Sequence, residues 1–284
     1  MVGIVLLAFL GGLAPREVAL GEHIVHLVKK TLTTDDEAGE GEARKLYEKR
    51  GVLSTADVGE EGAYAFAFLL CSPGPLDFQE RVLGSLRQAG GGVPRDATEY
   101  CAAQVKTQAA KQRAKAPSQP GLRDEINALA ESDQAVRQVA GFSMARMQEV
   151  DAEHAAPLGK ILKDRGVPGY SMVGPEAAGK FAVMIQHQPA EFRRVALPKL
   201  KGLVDRGEAD PGVYAMMYDR AQRDAGLPQY YGEAMECENG GPMHPAPMRD
   251  PTHVNQRRAK LGLMRVELYR QVAVAMSPPV CGGQ

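Results

Sequence analysis

The chain has 284 residues, 44% of them hydrophobic and 24% charged, with a formal charge of −1. Those values fit a globular protein and exclude a disordered tail or a fibrous repeat. A balance so close to zero gives no bulk attraction to nucleic acid or to an anionic membrane, so no nucleic-acid partner is expected.

From the N-terminus, Val2 to Leu13 is an apolar run too short to span a bilayer, and no other segment reads as an integral membrane span. Two readings of it stand. It is the core of a secretory signal, with Gly11, Gly12 and Ala14 near a cleavage point, or it is a buried N-terminal segment. No Lys or Arg precedes it and Pro15 follows it, which counts against the first. Residues 1–28 are therefore set apart as a signal segment or an N-terminal helix. The compartment follows that choice: secreted or periplasmic with a signal, cytoplasmic without one. His23 and His26 lie three apart on an amphipathic stretch, but two ligands do not make a metal site. Cys71, Cys101, Cys237 and Cys281 match no zinc spacing and read as scattered thiols.

An internal duplication organises the rest. Val58 to Leu70 lies over Val173 to Ile185 at an offset of 115, with six of thirteen positions identical. Roughly one would match by chance at average composition. Arg50-Gly51-Val52 meets Arg165-Gly166-Val167, and Asp36 falls opposite Asp151. After one extra residue in the first copy, Leu83 meets Leu197, Leu86 meets Leu200 and Tyr100 meets Tyr214. The division is 29–115 for a degenerate first copy and 122–284 for a second copy with a site-bearing tail. A basic stretch, Lys106 to Lys115, and an irregular connector, Ala116 to Gly121, mark the join.

Both copies read as helices. Ala177, Phe181, Met184 and Ile185 share a stripe in a helix over 176–188, with Pro175 in its first turn. Helices follow from Ala190 to Arg206, ended by Gly207, and from Pro211 to the stop at Gly226. Residues 133–163 form another helical stretch, interrupted at Gly141 or Pro157. A long irregular loop covers Glu233 to Val254, and short helical pieces around Gly262 close the chain. The expected fold is all-α: an internally duplicated antiparallel helical bundle or short helical stack.

The copies differ at one helix end. The second reads Gln186-His187-Gln188 where the first reads Cys71-Ser72-Pro73. Packing demands persist in both copies, whereas a chemically useful group need persist in only one. Imidazole serves as acid, base or metal ligand, and each role needs an orienting partner. Asp219-Arg220 lie in the next helix but one, where the first copy has Val105-Lys106. The reading is a polar pocket with His187 and Asp219 as catalytic pair. Gln186, Arg220, Tyr231, Arg257 and Arg258 would bind substrate, with Asp133, Arg137 and Asp151 in support. Asp151, His154 and His187 are a weaker metal constellation, and no metal or cofactor is assigned.

The second copy with its tail resembles an uncharacterised bacterial domain family of unknown function. The blocks are Asp133-Gln134-x-x-Arg137, Asp151, Gly166-x-Pro168, Val173-Gly174 and Gln186-His187. Asp219-Arg220, Gln229-x-Tyr231-Gly232 and Arg257-Arg258-Ala259-x-x-Gly262-Leu263 follow, within residues 123–269. Departures are Val167 where the family usually has an aromatic, His154 where it usually has Asn, and Glu233-Ala234 where Thr-Gln often follows. The resemblance implies a domain with a polar site but no reaction. Three functions compete: a small-molecule site of hydrolase or transferase type, a non-catalytic protein-binding or scaffold module, and buried ion pairs that only fix helix register. The third would pair Asp133 with Arg137, and Asp219 with a distant arginine such as Arg257.

Overall fold

A computed structural model describes residues 15–34, 38–72, 74–114, 116–137, 143–237 and 243–276. The apolar run 2–13 lies outside them. The fold is all-α, with thirteen α-helices and one two-stranded sheet among the described residues. The helices are α1 (Pro15–Thr34), α2 (Ala38–Arg50), α3 (Thr55–Cys71), α4 (Leu76–Ala89), α5 (Arg95–Arg113), α6 (Pro120–Arg137) and α7 (Met144–Asp164). Then come α8 (Tyr170–Val173), α9 (Pro175–His187), α10 (Ala190–Arg206), α11 (Pro211–Asp224), α12 (Val254–Lys260) and α13 (Val266–Met276). Strands β1 (Met235–Cys237) and β2 (Met243–Pro245) pair within the segment expected to be an irregular loop, and Pro251–His253 adds a 3-10 turn. No helix among the described residues is long and apolar enough to cross a membrane.

The chain divides into two compact units. Among the described residues, those within 1–105, 235–244 and 252–284 form unit 1, and those within 106–234 and 245–251 form unit 2. The division read from sequence placed the tail with the second copy. Ala259 and Leu268 are instead buried in the core of unit 1, with Ile24 and Val28 of α1, Phe66 and Leu70 of α3 and Leu86 of α4.

In unit 1, α3 is apolar on nearly every side, and so it is buried along most of its length. Ser54 starts it with a reciprocal capping box: its hydroxyl takes the Asp57 N–H, and the Asp57 carboxylate takes the Ser54 N–H. Gly21 of α1 lies against α3 so closely that a Cβ there would overlap the Val58 carbonyl. Cys71 and Cys101 form a disulfide between α3 and α5 with Cα atoms 5.3 Å apart. Cys237 is disulfide-bonded as well, which overturns the expectation of scattered thiols. Spacing alone carried no signal, because the bridge joins helices that meet only in the folded chain.

Unit 2 packs α6 against α7, α8 and α9, and α10 against α9 and α11. Ile126, Leu158, Phe181, Met184, Ile185 and Leu200 fill its core. The helix boundaries at Pro175, Ala190–Arg206 and Pro211 fall where the sequence placed them. Asp210 caps α11 by accepting the N–H groups of Gly212 (2.7 Å) and Val213 (3.1 Å). Two expectations change. Helix α6 begins at Pro120, inside the stretch read as a connector, while the basic stretch is the end of helix α5 as far as Arg113. Helix α7 continues through Pro157. Proline deprives the Glu153 carbonyl of its helical donor, but Glu153 is exposed and water can replace the lost bond. Gly141 lies outside the described residues.

The two units share a backbone device. Within α3, Gly59 takes φ 74° and ψ 170°, and between α8 and α9 Gly174 takes φ 84° and ψ 160°. Side chains rarely tolerate that region, so glycine is the residue that lets the chain change direction there.

Candidate functional site

Helix packing in unit 2 brings together the last turn of α6, the second turn of α7 and the end of α9. Asp133 and Arg137 are one turn apart on α6, and the Arg137 guanidinium grips Asp133 through Nε at 3.2 Å and a terminal nitrogen at 2.9 Å. The same terminal nitrogen donates to Asp151 on α7. From α9, His187 Nδ1 lies 3.0 Å from Asp133 Oδ1. Asp133 is 1% exposed, whereas the His187 side chain keeps 22% of its surface.

Burial alone would push the Asp133 carboxyl up. Hydrogen bonds from His187 and Arg137 outweigh it and hold the group down at about 2. Burial likewise lowers Arg137, and Asp133 and Asp151 more than reverse that. An ionised carboxylate only accepts, so the proton on the bridging ring nitrogen belongs to His187 Nδ1. In the neutral ring the lone pair then lies on Nε2, which has no hydrogen-bond partner among the described residues.

The end of α9 is itself clamped. Arg193 of α10, 5% exposed, donates to the carbonyls of Gln186 (3.1 Å) and Gln188, and its other nitrogens hold Asp224 of α11 at 2.5 and 3.2 Å. A guanidinium there also suits the negative end of the helix dipole. Gln188 Nε2 donates to the Asp151 carbonyl at 2.9 Å. The side-chain Nε2 of Gln186 is buried without a partner among the described residues. Arg193 did not stand out in the sequence, although a detectable signal existed: with Ala196, Leu200 and Val204 it occupies a charged position on the apolar stripe of α10.

The remaining candidates lie elsewhere. Asp219, assigned from sequence as the orienter of His187, instead accepts the backbone N–H groups of Tyr230 (2.7 Å), Tyr231 (3.0 Å) and Glu233 (3.0 Å). A buried carboxylate with three backbone donors shapes a turn. The ring's partner is Asp133, and the proposed pairing of Asp219 with Arg257 gives way to the same turn. Gln229 completes the turn from inside, donating to the carbonyls of Ala234 and Ala246 and accepting the Ala234 N–H. Tyr231 packs its ring against Tyr214, Tyr218 and Tyr230, and burial pushes its phenol up. Arg220 is exposed with no partner among the described residues. Arg257 and Arg258 lie on α12, in unit 1, where Arg258 is buried, donates to the Met264 carbonyl at 2.5 Å and stacks over Tyr269.

Asp133, Asp151 and His187 each offer one ligand atom within 4.8 Å of the others, a spacing that suits a metal ion. The Arg137 guanidinium already lies against both carboxylates, so a cation there would have to displace it. His154, the third ligand in the sequence constellation, turns Nε2 to the Ser132 hydroxyl at 2.8 Å.

A model of a family of unknown function, DUF6624, matches residues 120–276. The chain belongs to that family. The match starts at the first residue of α6 and stops at the last residue of α13. It therefore contains the whole Asp133–Arg137–Asp151–His187 network. It also takes in the two tail helices that help to build unit 1. No curated protein and no solved structure matched the chain. The family carries a domain assignment and no reaction, so chemistry has to be argued from the side chains.

Proposed function

We infer that unit 2 carries a small-molecule site of hydrolase or transferase type in which His187 is the general acid and base. Asp133 orients its ring, and Arg137 with Asp151 holds Asp133 in place. The observation that carries this reading is the 3.0 Å contact between Nδ1 and a buried ionised carboxylate, with the Nε2 side of a partly exposed ring left available. A carboxylate in that position fixes the tautomer that presents a basic nitrogen to a substrate. Gln186, beside His187 in sequence and with a buried side-chain donor that has no partner among the described residues, is the group assigned to a substrate oxygen.

The test combines ring-nitrogen NMR with a screen of ester, phosphoester and glycoside substrates. Above the ordinary imidazole range, His187 should appear as the Nδ1–H tautomer, and any turnover found should vanish in His187→Gln while the helical fold is kept. A mixed tautomer, or turnover indifferent to that change, would overturn the acid–base reading. A second reading, a protein-binding or scaffold module, draws on the same contacts, because Arg137 ties α6 to α7 and His187 ties α9 to α6. It predicts that His187→Gln costs stability and nothing else.

We also infer that the chain is an internal duplication, with a first copy at 29–115 and a second within 122–284 whose tail packs in unit 1. Its support is the pairing of Gly59 with Gly174 and of Gly51 (φ 72°) with Gly166 (φ 78°), each at the offset of 115 and each with the same unusual backbone. The disulfide-bonded Cys71, Cys101 and Cys237 favour an oxidising compartment.

A further inference from the structure

Unit 1, which takes in most of the degenerate first copy, contains a cavity of about 660 Å³. That is within the range of small-ligand sites. Its walls come from α1, α3, α5, α12 and α13, so it is separate from the His187 network. Val25, Ala65 and Leu268 give it an apolar strip.

The polar lining is one-sided. Five carboxylates face two guanidinium groups. Arg265 is already committed: it holds Asp96 through two hydrogen bonds at 2.6 and 2.8 Å, reaches Glu60 at 3.1 Å, and stacks 4.4 Å from the centre of the Tyr64 ring. Its backbone N–H donates to the Tyr64 hydroxyl at 2.9 Å. Arg95 pairs with Glu99 at 2.9 Å, but its side chain is 90% exposed, so that pair leaves Glu99 only weakly neutralised. Glu267 accepts from the Asn255 amide, and Glu61 has no partner among the described residues. In the wall, Gln271 Oε1 is a buried acceptor with no donor among the described residues. After every internal pairing, the cavity holds surplus acceptors and surplus negative charge around an apolar strip.

We propose that this cavity binds an aliphatic di- or polyamine, its ammonium groups on Glu61 and Glu99 and its methylene chain along Val25, Ala65 and Leu268. An anionic ligand would meet uncompensated carboxylates, and a bare metal ion would leave the apolar strip unused. The Arg265–Asp96–Tyr64 assembly is the rigid floor rather than the recognition element.

Calorimetric titration of the full chain with spermidine tests this, alongside Mg²⁺ as a small cation of high charge and glutarate as an anion of similar length. Saturable one-to-one binding of spermidine is expected, with no binding of glutarate. Glu61 is exposed, so Glu61→Gln should weaken binding by about twofold to fivefold, the effect of one screened charge contact. Glu61 has no partner to lose, so this variant should keep the fold. A Leu268→Asn change should weaken spermidine and leave its heat of ammonium pairing. Absence of saturable binding, equal affinity in Glu61→Gln, or full displacement by Mg²⁺ at equal charge would each overturn the proposal.

Discussion

Replacing Asp133 by Asn removes one negative charge and almost no volume. The side chain accepts from His187, Arg137 and Gln134, and it is 1% exposed. A carboxyl held at about 2 instead of 3.8 corresponds to about 2 kcal/mol of folding free energy. The sign follows from the depressed value. The stabilisation is present in full above the unfolded value, and it is lost as pH falls through the folded one. Linkage gives a loss of about 1 kcal/mol by pH 3 and about 2 kcal/mol by pH 2. The variant should be less stable near neutrality by roughly 2–4 kcal/mol, because Arg137 keeps only Asp151 and the ring loses its acceptor. Urea unfolding of both proteins across that pH range is the assay. The gap between them should narrow on acidification by about the amount just given, since other carboxylates titrate in both. A gap equal at pH 3 and at neutrality would refute a carboxylate held low by His187 and Arg137.

Other outcomes follow from the same contacts. Asp133→Asn and His187→Gln should be non-additive by about 0.5–3 kcal/mol in a double-mutant cycle, whereas Asp219→Asn and His187→Gln should add within about 0.5 kcal/mol. Coupling of the second pair would restore Asp219 as the orienter. Gly174→Ala meets no atom within 4 Å, so its cost is conformational alone, roughly 1–3 kcal/mol, read as a lower melting temperature with unchanged solubility. Reducing the Cys71–Cys101 bridge, which closes a separation of 30 residues, should cost roughly 3–4 kcal/mol in denaturant unfolding. Both sulfurs are buried, so a thiol reagent should act on the native protein only after unfolding.

What the sequence made legible was local. Proline at the start of α9 and α11 and glycine after α10 fixed those helices, because they act within one turn. Asp133 and Arg137, four apart on one helix, were readable as a pair. The partner of His187 was not. Periodicity tells which face of α9 is buried but not that α6, rather than α11, covers its polar end. The same limit hid the Cys71–Cys101 bridge and the return of α12 and α13 to the N-terminal helices. Asp219 misled for a related reason: a carboxylate that organises a turn looks, in one dimension, like the partner that orients a histidine.

The way unit 1 is assembled has a practical side. A fragment trimmed to the recognised stretch, 120–276, would keep the histidine network but take Ala259, Leu268 and Arg265 away from Phe66, Asp96 and Tyr64. The buried faces of two tail helices would then be bared, and stickiness in such a preparation would report the missing neighbours rather than a natural taste for self-association.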